Sequence, residues 1–220
     1  MTKLSTIKYA MLAGLIGIGT LLQNGPAHAG TERLIVAGGC FWCVESDFES
    51  VDGVKEVVSG YTGGSVDNPT YKDVSKGGSG HYEAVEIKFD NSVVTRDELL
   101  HLFFRSVDPT DAGGQFCDRG ESYRTAVFYK NGAQKSAAEA AIAQAASDLG
   151  QSIVTPVLPA GKFFKAEKIH QNYYKGTKVV LTRFGPRKQS EAYKRYRKAC
   201  GRDARVQSLW GDAAPFASKY

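Results

Sequence analysis

Two cysteines and two aromatic residues lie in the most chemically suggestive run of the sequence, GGCFWC at positions 38–43. The aliphatic stretch before the glycines predicts a strand, and the residues from Cys40 to Ser50 predict a helix. Backbone N–H groups at a helix N-terminus stabilise an anion, so a thiol placed there is expected to have a lowered pKa and to supply a nucleophilic thiolate. Phe41 and Trp42 are then placed to wall an apolar pocket beside it.

A carboxyl group in a predicted strand offers a complementary acid. Val85, Ile87 and Phe89 alternate with polar residues, and Glu83 shares their parity. Because side chains alternate faces along a strand, a regular strand directs Glu83 toward the core. There, loss of water raises a carboxyl pKa and keeps a proton available for general acid catalysis. A bend at the start of the strand would instead leave Glu83 in solvent, and the alternation favours neither arrangement.

The first 29 residues have the three parts of an export signal. Two lysines precede an almost wholly apolar run at 9–22, and Ala27-His28-Ala29 is a small-x-small cleavage site. The apolar run is shorter than the ~20 residues that a membrane-spanning helix needs. We therefore expect a cleaved signal peptide at 1–29 and one mature domain at 30–220. The protein is expected to be exported, periplasmic or secreted, without stable membrane association.

The composition is that of a soluble globular protein. Hydrophobic residues make up 42% of the chain and charged residues 23%, which excludes a disordered chain and a multi-span membrane protein. Loss of Lys3 and Lys8 with the signal leaves 26 basic residues against 23 acidic ones, a balance that does not indicate nucleic-acid binding. The 4 cysteines, at 40, 43, 117 and 200, lack a second close pair, so no metal site is predicted.

Strands and helices alternate along the chain, but the strands are few and the loops long. Beyond the first strand and helix, we predict strands at 54–61, 82–89, 123–129 and 153–158, and helices at 95–107, 136–150 and 165–174. Gly-rich loops over 62–80 and 108–122 have the length that usually carries function. Ser136 and Glu139 are interpreted as a capping box. The alternation predicts a single α+β domain with a mixed sheet and a basic C-terminal extension over about 177–220.

Several segments resemble the A-type peptide methionine sulfoxide reductase family, in the family's order. They are GGCFWCVE (38–45), SGYTGG (59–64), NPTYKDV (68–74), GHYEAVEI (80–87), DPTDAGGQFCDRGESYR (108–124) and FFKAEKIHQNYY (163–174). The resemblance implies an α+β two-layer sandwich around a mixed sheet, with a ferredoxin-like core. It also implies an oxidoreductase that reduces the S-epimer of methionine sulfoxide, free or in proteins, and so repairs proteins after oxidative stress.

The resemblance implies a catalytic role for four matched residues. Cys40 corresponds to the nucleophile, Glu83 to the proton donor, and Tyr71 and Tyr123 to hydroxyls that hold the sulfoxide oxygen. The physical chemistry agrees, because the thiolate must attack the sulfoxide sulfur while an acid protonates the poor leaving group. Cys40 is left as a sulfenic acid, and a second thiol condenses with it to form a disulfide.

Three further residues are implied to bind the substrate. Phe41 and Trp42 correspond to the pocket for the substrate methyl group, and Asp118 to a contact with the substrate backbone. No metal and no organic cofactor are implied. The partner implied is a thioredoxin-like dithiol, which reopens the disulfide by exchange.

The cysteines depart from the commonest pattern of the family. Cys117 stands where many members have Asn before the substrate-binding Asp118, and Cys200 is the one cysteine late in the chain. We hypothesise that Cys117 or Cys200, acting as a pair, resolves the sulfenic acid. Cys43 is the alternative resolver, since Cys40-x-x-Cys43 spans one helical turn.

Two other functions fit parts of the sequence. A thiol–disulfide oxidoreductase would use Cys40-x-x-Cys43, but it does not explain the tyrosines and acids of the matched segments. A non-enzymatic exported domain with two structural disulfides is the third hypothesis. His81 and His170 are interpreted as structural residues, and the basic stretch at 187–205 as a solvated face.

Overall fold

The computed structural model describes residues 30–217. The predicted signal peptide at 1–29 lies outside the described residues. Within the described range, none of the helices combines the length and the apolar character that crossing a membrane requires.

Strands and helices alternate through the described chain. The strands are β1 (Thr31–Gly38), β2 (Val54–Thr62), β3 (Tyr82–Asp90), β4 (Gly114–Gln115), β5 (Asp118–Arg119), β6 (Thr125–Tyr129), β7 (Val157–Pro159), β8 (Phe164–Lys165), β9 (Val179–Thr182) and β10 (Gly185–Lys188). The helices are α1 (Phe41–Phe48), α2 (Tyr71–Ser75), α3 (Arg96–Phe104), α4 (Gly132–Leu149), α5 (Gln189–Cys200) and α6 (Arg202–Trp210). Single 3-10 turns lie at Glu121–Tyr123, Lys168–His170, Tyr173–Lys175 and Gly211–Ala213.

The central sheet has six strands in the order β7-β6-β1-β3-β2-β8. Strands β6 and β7 pair in parallel, whereas the other neighbouring pairs of this sheet are antiparallel. Two small two-stranded sheets, β9 with β10 and β4 with β5, stand beside it. The prediction of an α+β domain with a mixed sheet is confirmed.

The strand alternation sorts residues onto two faces of the sheet. Val85, Ile87 and Phe89 of β3 belong to the main core, where α1 and α3 pack through residues such as Phe48 and Phe103. The even-numbered residues of β3 face the opposite side, where a smaller apolar cluster lies against the segment that follows β7. The first face is therefore the one covered by helices, and it is the face toward which Glu83 points by parity.

Two glycines make the turn between β1 and α1. A Cβ at Gly38 would meet Val107 and Val44 at 3.0 and 3.1 Å. Gly39 has φ +79°, and a Cβ there would lie 2.6 Å from the Cβ of Gln115. The left-handed conformation and the close approach both exclude other side chains, so the glycines allow Cys40 to begin a helix directly beside the core.

The residues from 177 onward are an integral part of the domain. They form the β9–β10 hairpin, α5 and α6. The expectation of a solvated basic face at 187–205 is wrong for two arginines that are buried, whereas most of its other basic residues are exposed. Arg197 and Arg202 are each only 2% exposed. Arg197 donates to Asp47 of α1 at 2.8 Å, and to Asp203 at 2.7 Å. Guanidinium groups are buried only where such partners exist, and Asp47 lies 150 positions before Arg197 in the sequence.

Arg202 anchors the turn that precedes Cys40. Its guanidinium donates to the carbonyl oxygens of Gly38 at 3.1 Å and Ser106 at 2.9 Å, and it lies 4.8 Å over the ring of Phe116. The C-terminal segment therefore holds the β1–α1 junction through a charged group that contacts backbone oxygens.

Local structure differed from prediction where capping and tertiary contacts intervened. The alanine-rich helix begins at Gly132, because the side chain of Asn131 caps it by accepting from the Gln134 N–H at 2.9 Å. The helix predicted at 165–174 is wrong, since that segment contains part of β8 and two 3-10 turns. The loop predicted over 62–80 includes α2, which is capped by a Thr70–Asp73 box.

Candidate active site

The candidate site residues predicted from the sequence line one cavity. It has a volume of about 450 Å³ and lies between α1, α2, the loop before β6 and the C-terminal segment. Its lining includes every site residue predicted above, namely Cys40, Phe41, Trp42, Cys43, Tyr71, Glu83, Cys117, Asp118, Tyr123 and Cys200. The tertiary structure thus brings together side chains that span 160 positions of the chain.

Glu83 points inward and lies beneath the first turn of α1. Its carboxylate is 2% exposed and accepts the backbone N–H of Phe41 at 3.1 Å. Burial raises the pKa of Glu83 to about 8, although the Phe41 N–H opposes the shift. A carboxyl group with this pKa holds a proton at neutral pH, which is the state a general acid needs.

Two phenols adjoin this acid. The Tyr123 hydroxyl forms hydrogen bonds with the side chains of Glu83 and Tyr71. Burial raises the pKa of both tyrosines, and the nearby charge of Glu83 raises it further. Both phenols therefore remain protonated across the physiological range and can donate to an oxygen bound in the cavity.

The electrostatics of the two neighbouring thiols differ from expectation. The pKa of Cys40 is raised, through a hydrogen bond with Cys43, burial, and the carboxylates of Glu83 and Asp118. The pKa of Cys43 is lowered to about 7, through the same hydrogen bond and the charges of the buried arginines of the C-terminal segment. The helix N-terminus favours a thiolate at Cys40, but burial and the nearby charges outweigh it in the folded protein. Of the two thiols, Cys43 is the one whose ionisation the surroundings favour.

Aromatic rings form one wall of the cavity. Trp42 stacks on Tyr173 with ring centroids 3.8 Å apart, and His170 stacks on Tyr71 at 4.4 Å. Phe41 lies 5.5 Å from the same histidine ring and is buried. His170 is therefore an aromatic packing residue between the pocket rings, as the sequence suggested, and burial lowers its pKa.

Glu167 positions Tyr71 and was not singled out from the sequence. Its carboxylate accepts the Tyr71 backbone N–H at 2.8 Å and the Tyr61 hydroxyl at 2.9 Å. These bonds tie the start of α2 to the segment at 163–174. The sequence signal was the matched stretch at 163–174, but spacing gave no indication that Glu167 reaches a residue 96 positions earlier.

Cys117 and Cys200 are joined in a disulfide at the cavity wall, with Cα atoms 4.8 Å apart. Cys40 and Cys43 are free thiols. Cys117 is exposed, whereas Cys43 is only 6% exposed. The bridge joins the end of α5 to the loop that carries Asp118, so the late cysteine belongs to the site despite its distance in sequence.

Asp118 occupies the cavity edge next to this bridge. It is half-buried, and burial raises its pKa while Arg202 and Arg183 act in the opposite direction. The carboxylate lies near the sulfurs of Cys117 and Cys200, with these donor atoms within 4.8 Å of one another. Because a metal binds thiolates, and these two sulfurs are bonded to each other, the donor set does not fit a metal in this state.

The chain is similar to known proteins over most of its length. A family model described as peptide methionine sulfoxide reductase matches residues 32–212. Peptide methionine sulfoxide reductase MsrA 2 of Rhizobium meliloti is 47% identical over 190 residues, covering 86% of this chain and 89% of the relative. Peptide methionine sulfoxide reductase MsrA of Bacillus subtilis is 45% identical over 177 residues, covering 80% and 93%.

Solved structures show the same similarity. Methionine sulfoxide reductase A of Corynebacterium diphtheriae has a TM-score of 0.64 and 32% identity, and the match covers 70% of this chain and 77% of that one. Mxr1 of Saccharomyces cerevisiae in reduced form has a TM-score of 0.63 and 27% identity, with coverage of 66% and 84%.

The burial of Glu83 gives a prediction about stability. Because its folded-state pKa of about 8 lies above the unfolded value, the folded state keeps a proton that the unfolded chain releases. Its contribution is present below the unfolded pKa and is lost as pH rises toward 8. Between pH 5 and pH 8, the free energy of unfolding of wild type should therefore fall by about 2–5 kcal/mol relative to that of Glu83→Gln, which has no carboxyl group at this position. Urea unfolding across this range measures the difference, and the exposed Glu56→Gln should show none. A constant difference for Glu83→Gln would contradict the burial argument.

Proposed function

Because the chain belongs to the peptide methionine sulfoxide reductase family and is an oxidoreductase of that family, we propose that it reduces the S-epimer of methionine sulfoxide, free and in proteins, to methionine. The observation that carries the proposal is the placement of a thiol, a protonated carboxyl and two phenols around one cavity. They are Cys40, Glu83, Tyr71 and Tyr123. This set is suited to attack on sulfur with protonation of the departing oxygen.

The reductase step moves one oxygen from the substrate to the enzyme. Cys40 transfers its proton to the Cys43 thiolate, and its sulfur attacks the sulfoxide sulfur. Glu83 protonates the sulfoxide oxygen, while the phenols of Tyr71 and Tyr123 donate hydrogen bonds to it. The S–O bond of the substrate breaks, and the departing oxygen bonds to the Cys40 sulfur as a hydroxyl group. The bond between the Cys40 sulfur and the substrate sulfur breaks in turn, so methionine leaves as the thioether with that electron pair and Cys40 remains as a sulfenic acid.

The second half of the cycle returns Cys40 to the thiol. With the bridge reduced, the Cys117 thiolate attacks the Cys40 sulfenic acid, forming a Cys40–Cys117 disulfide and water. Cys200 then attacks Cys117, which forms the Cys117–Cys200 disulfide and releases Cys40. Support for this order comes from the pairing of Cys117 with Cys200 beside two free thiols, because that is the state in which such a relay ends.

An external dithiol completes the cycle by reducing the Cys117–Cys200 bridge. Cys117 is exposed, so a thioredoxin-like protein has access to its sulfur, whereas the buried Cys43 is shielded from one. The substrates are oxidised proteins outside the cytoplasm, since residues 1–29 have the pattern of an export signal. The protein thereby repairs exported proteins in the periplasm or beyond.

A thiol–disulfide oxidoreductase is the second candidate function. It is favoured by the hydrogen bond between Cys40 and Cys43 and by the Cys43 pKa of about 7. This function does not explain the buried acid Glu83 or the two neighbouring tyrosines, because disulfide exchange requires no protonation of a departing oxygen. We therefore prefer the sulfoxide reductase.

An epimer-resolved assay tests the proposed function. The protein is incubated with a racemic methionine sulfoxide derivative and dithiothreitol, and the remaining epimers are separated by chiral chromatography. We expect loss of the S-epimer alone, and no loss with Cys40→Ser, because that variant lacks the nucleophile. Survival of both epimers together with reduction of insulin disulfides would instead establish the thiol–disulfide oxidoreductase.

The acid role of Glu83 predicts a pH-dependent defect. Pre-reduced Glu83→Gln should form methionine in a single turnover about a hundredfold more slowly than wild type. The defect should grow as pH rises from 6 toward 8, since solvent protons become scarce while Glu83 of the wild type is still protonated. Glu45→Gln is the matched control, because burial also raises the Glu45 pKa, to about 7, but its carboxylate bonds Ser59 and Asn172. A defect that does not change with pH would argue against the acid role.

The relay predicts a specific disulfide. In the Cys200→Ser variant, one turnover without reductant should trap a Cys40–Cys117 bridge, because the thiol that releases Cys40 is missing. Peptide mass mapping under non-reducing conditions identifies it. A Cys40–Cys43 bridge as the sole product, in this variant and in wild type, would show that Cys43 is the resolver.

A further inference from the structure

Exposed apolar side chains are concentrated at the mouth of the cavity. Large hydrophobic side chains that are exposed within the described chain are few, and three of them lie here: Ile169 at 44%, Val179 at 61% and Leu181 at 85% exposure. Leu181 and Ile169 also line the cavity. The other face of β9 is anchored, since Val180 packs against the buried cluster that includes Cys43 and Tyr193. The outward apolar residues are therefore held on a fixed strand.

The backbone of β9 has an open edge. Antiparallel pairs alternate between hydrogen-bonded and non-bonded types. The Gln189 N–H donates to the Lys178 carbonyl at 2.9 Å, so these two residues form a hydrogen-bonded pair. By the register of the hairpin, the pairs 180/187 and 182/185 are then also of the hydrogen-bonded type. Val179 and Leu181 fall in the non-bonded class, so their N–H and C=O groups point away from β10. Within the described residues, these outward groups have no backbone partner.

This open edge borders the catalytic cavity. The lining includes four consecutive residues, Val180–Arg183, whereas it includes no residue of β10 from the described chain. Side chains of consecutive residues point to opposite faces of a strand, so a single face cannot contribute all four. The cavity must instead run along the edge of the strand, with β10 on the far side.

We propose that an extended segment of an oxidised polypeptide pairs with the open edge of β9 as an added strand while its methionine sulfoxide side chain enters the cavity. Extended peptides commonly bind exposed sheet edges in this way, with backbone hydrogen bonds for affinity and side-chain contacts for specificity. This inference rests on the proposed function, and it assigns the open edge of β9 as the surface that binds the substrate backbone.

Pairing of the substrate with β9 determines which substrate side chains contact the protein. Neighbouring strands share faces, so a methionine sulfoxide that points inward lies on the face of Val180 and Thr182. Its two sequence neighbours then lie on the outer face, beside Val179 and Leu181. Apolar or β-branched neighbours are favoured, because cross-strand apolar pairs stabilise a sheet. Free methionine sulfoxide has no such neighbours and gains nothing from this edge.

The test compares two substrates in one assay with saturating dithiothreitol. One is a capped heptapeptide with a central methionine S-sulfoxide between two valines, and the other is free methionine S-sulfoxide. Val179→Ser should raise KM for the peptide about three- to tenfold, since Val179, which does not line the cavity, loses apolar area that the peptide covers. Activity on the free amino acid should not change. Val93→Ser, at a 59% exposed valine remote from the cavity, is the matched control and should affect neither.

A second arm probes the backbone directly. N-methylation of the peptide amides that pair with β9 should lower kcat/KM, whereas methylation of the alternate amides should not. Equal effects of Val179→Ser on both substrates, or no effect of any N-methyl group, would overturn the inference alone. An effect of Val179→Ser that is confined to KM for a thioredoxin, or to the oligomeric state, would assign this surface to another partner and overturn the inference too. Absence of wild-type activity on both substrates would refute the proposed function and this inference with it.

Discussion

The hydrogen bond from the Phe41 N–H to the Glu83 carboxylate joins the two segments that carry the thiol and the acid of the proposed reaction. It connects the first turn of α1, which carries Cys40, to the strand that carries the acid. The contact forms in a buried place, and the same burial raises the pKa of Glu83 to about 8. A more exposed arrangement would keep the bond but lose the proton, so desolvation is the constraint on which the chemistry depends.

The C-terminal segment holds in place the turn and the helix that flank Cys40. Arg202 holds the Gly38 carbonyl, and Arg197 reaches Asp47 on the inner face of α1. These charges also lower the pKa of Cys43, so one pair of guanidinium groups contributes to both packing and thiol chemistry. The neighbouring β9–β10 hairpin gives the same segment a surface at the cavity mouth. A stretch that resembled a basic tail in sequence is therefore part of the site.

Prediction succeeded where the signal was local. The two glycines marked the turn before α1. The alternation of β3 offered the core face to Glu83 but left a solvent-exposed bend open, and the structure shows the buried arrangement. Prediction failed where remote groups decide the outcome. Neither the Glu167 bond to the start of α2 nor the raised pKa of Cys40 is visible in spacing, because both arise from residues that only the folded chain brings near.

The sequence by itself determined the family, the mixed α+β architecture and the candidate site residues, because these depend on motifs and on local periodicity. The tertiary structure decided which cysteines meet. Cys117 and Cys200 are 83 positions apart, yet their Cα atoms lie 4.8 Å apart, while Cys43 is enclosed beside Cys40. The tertiary structure also decided the pKa values of the groups in the pocket, because burial and ion pairs between residues distant in sequence cannot be seen in the sequence pattern.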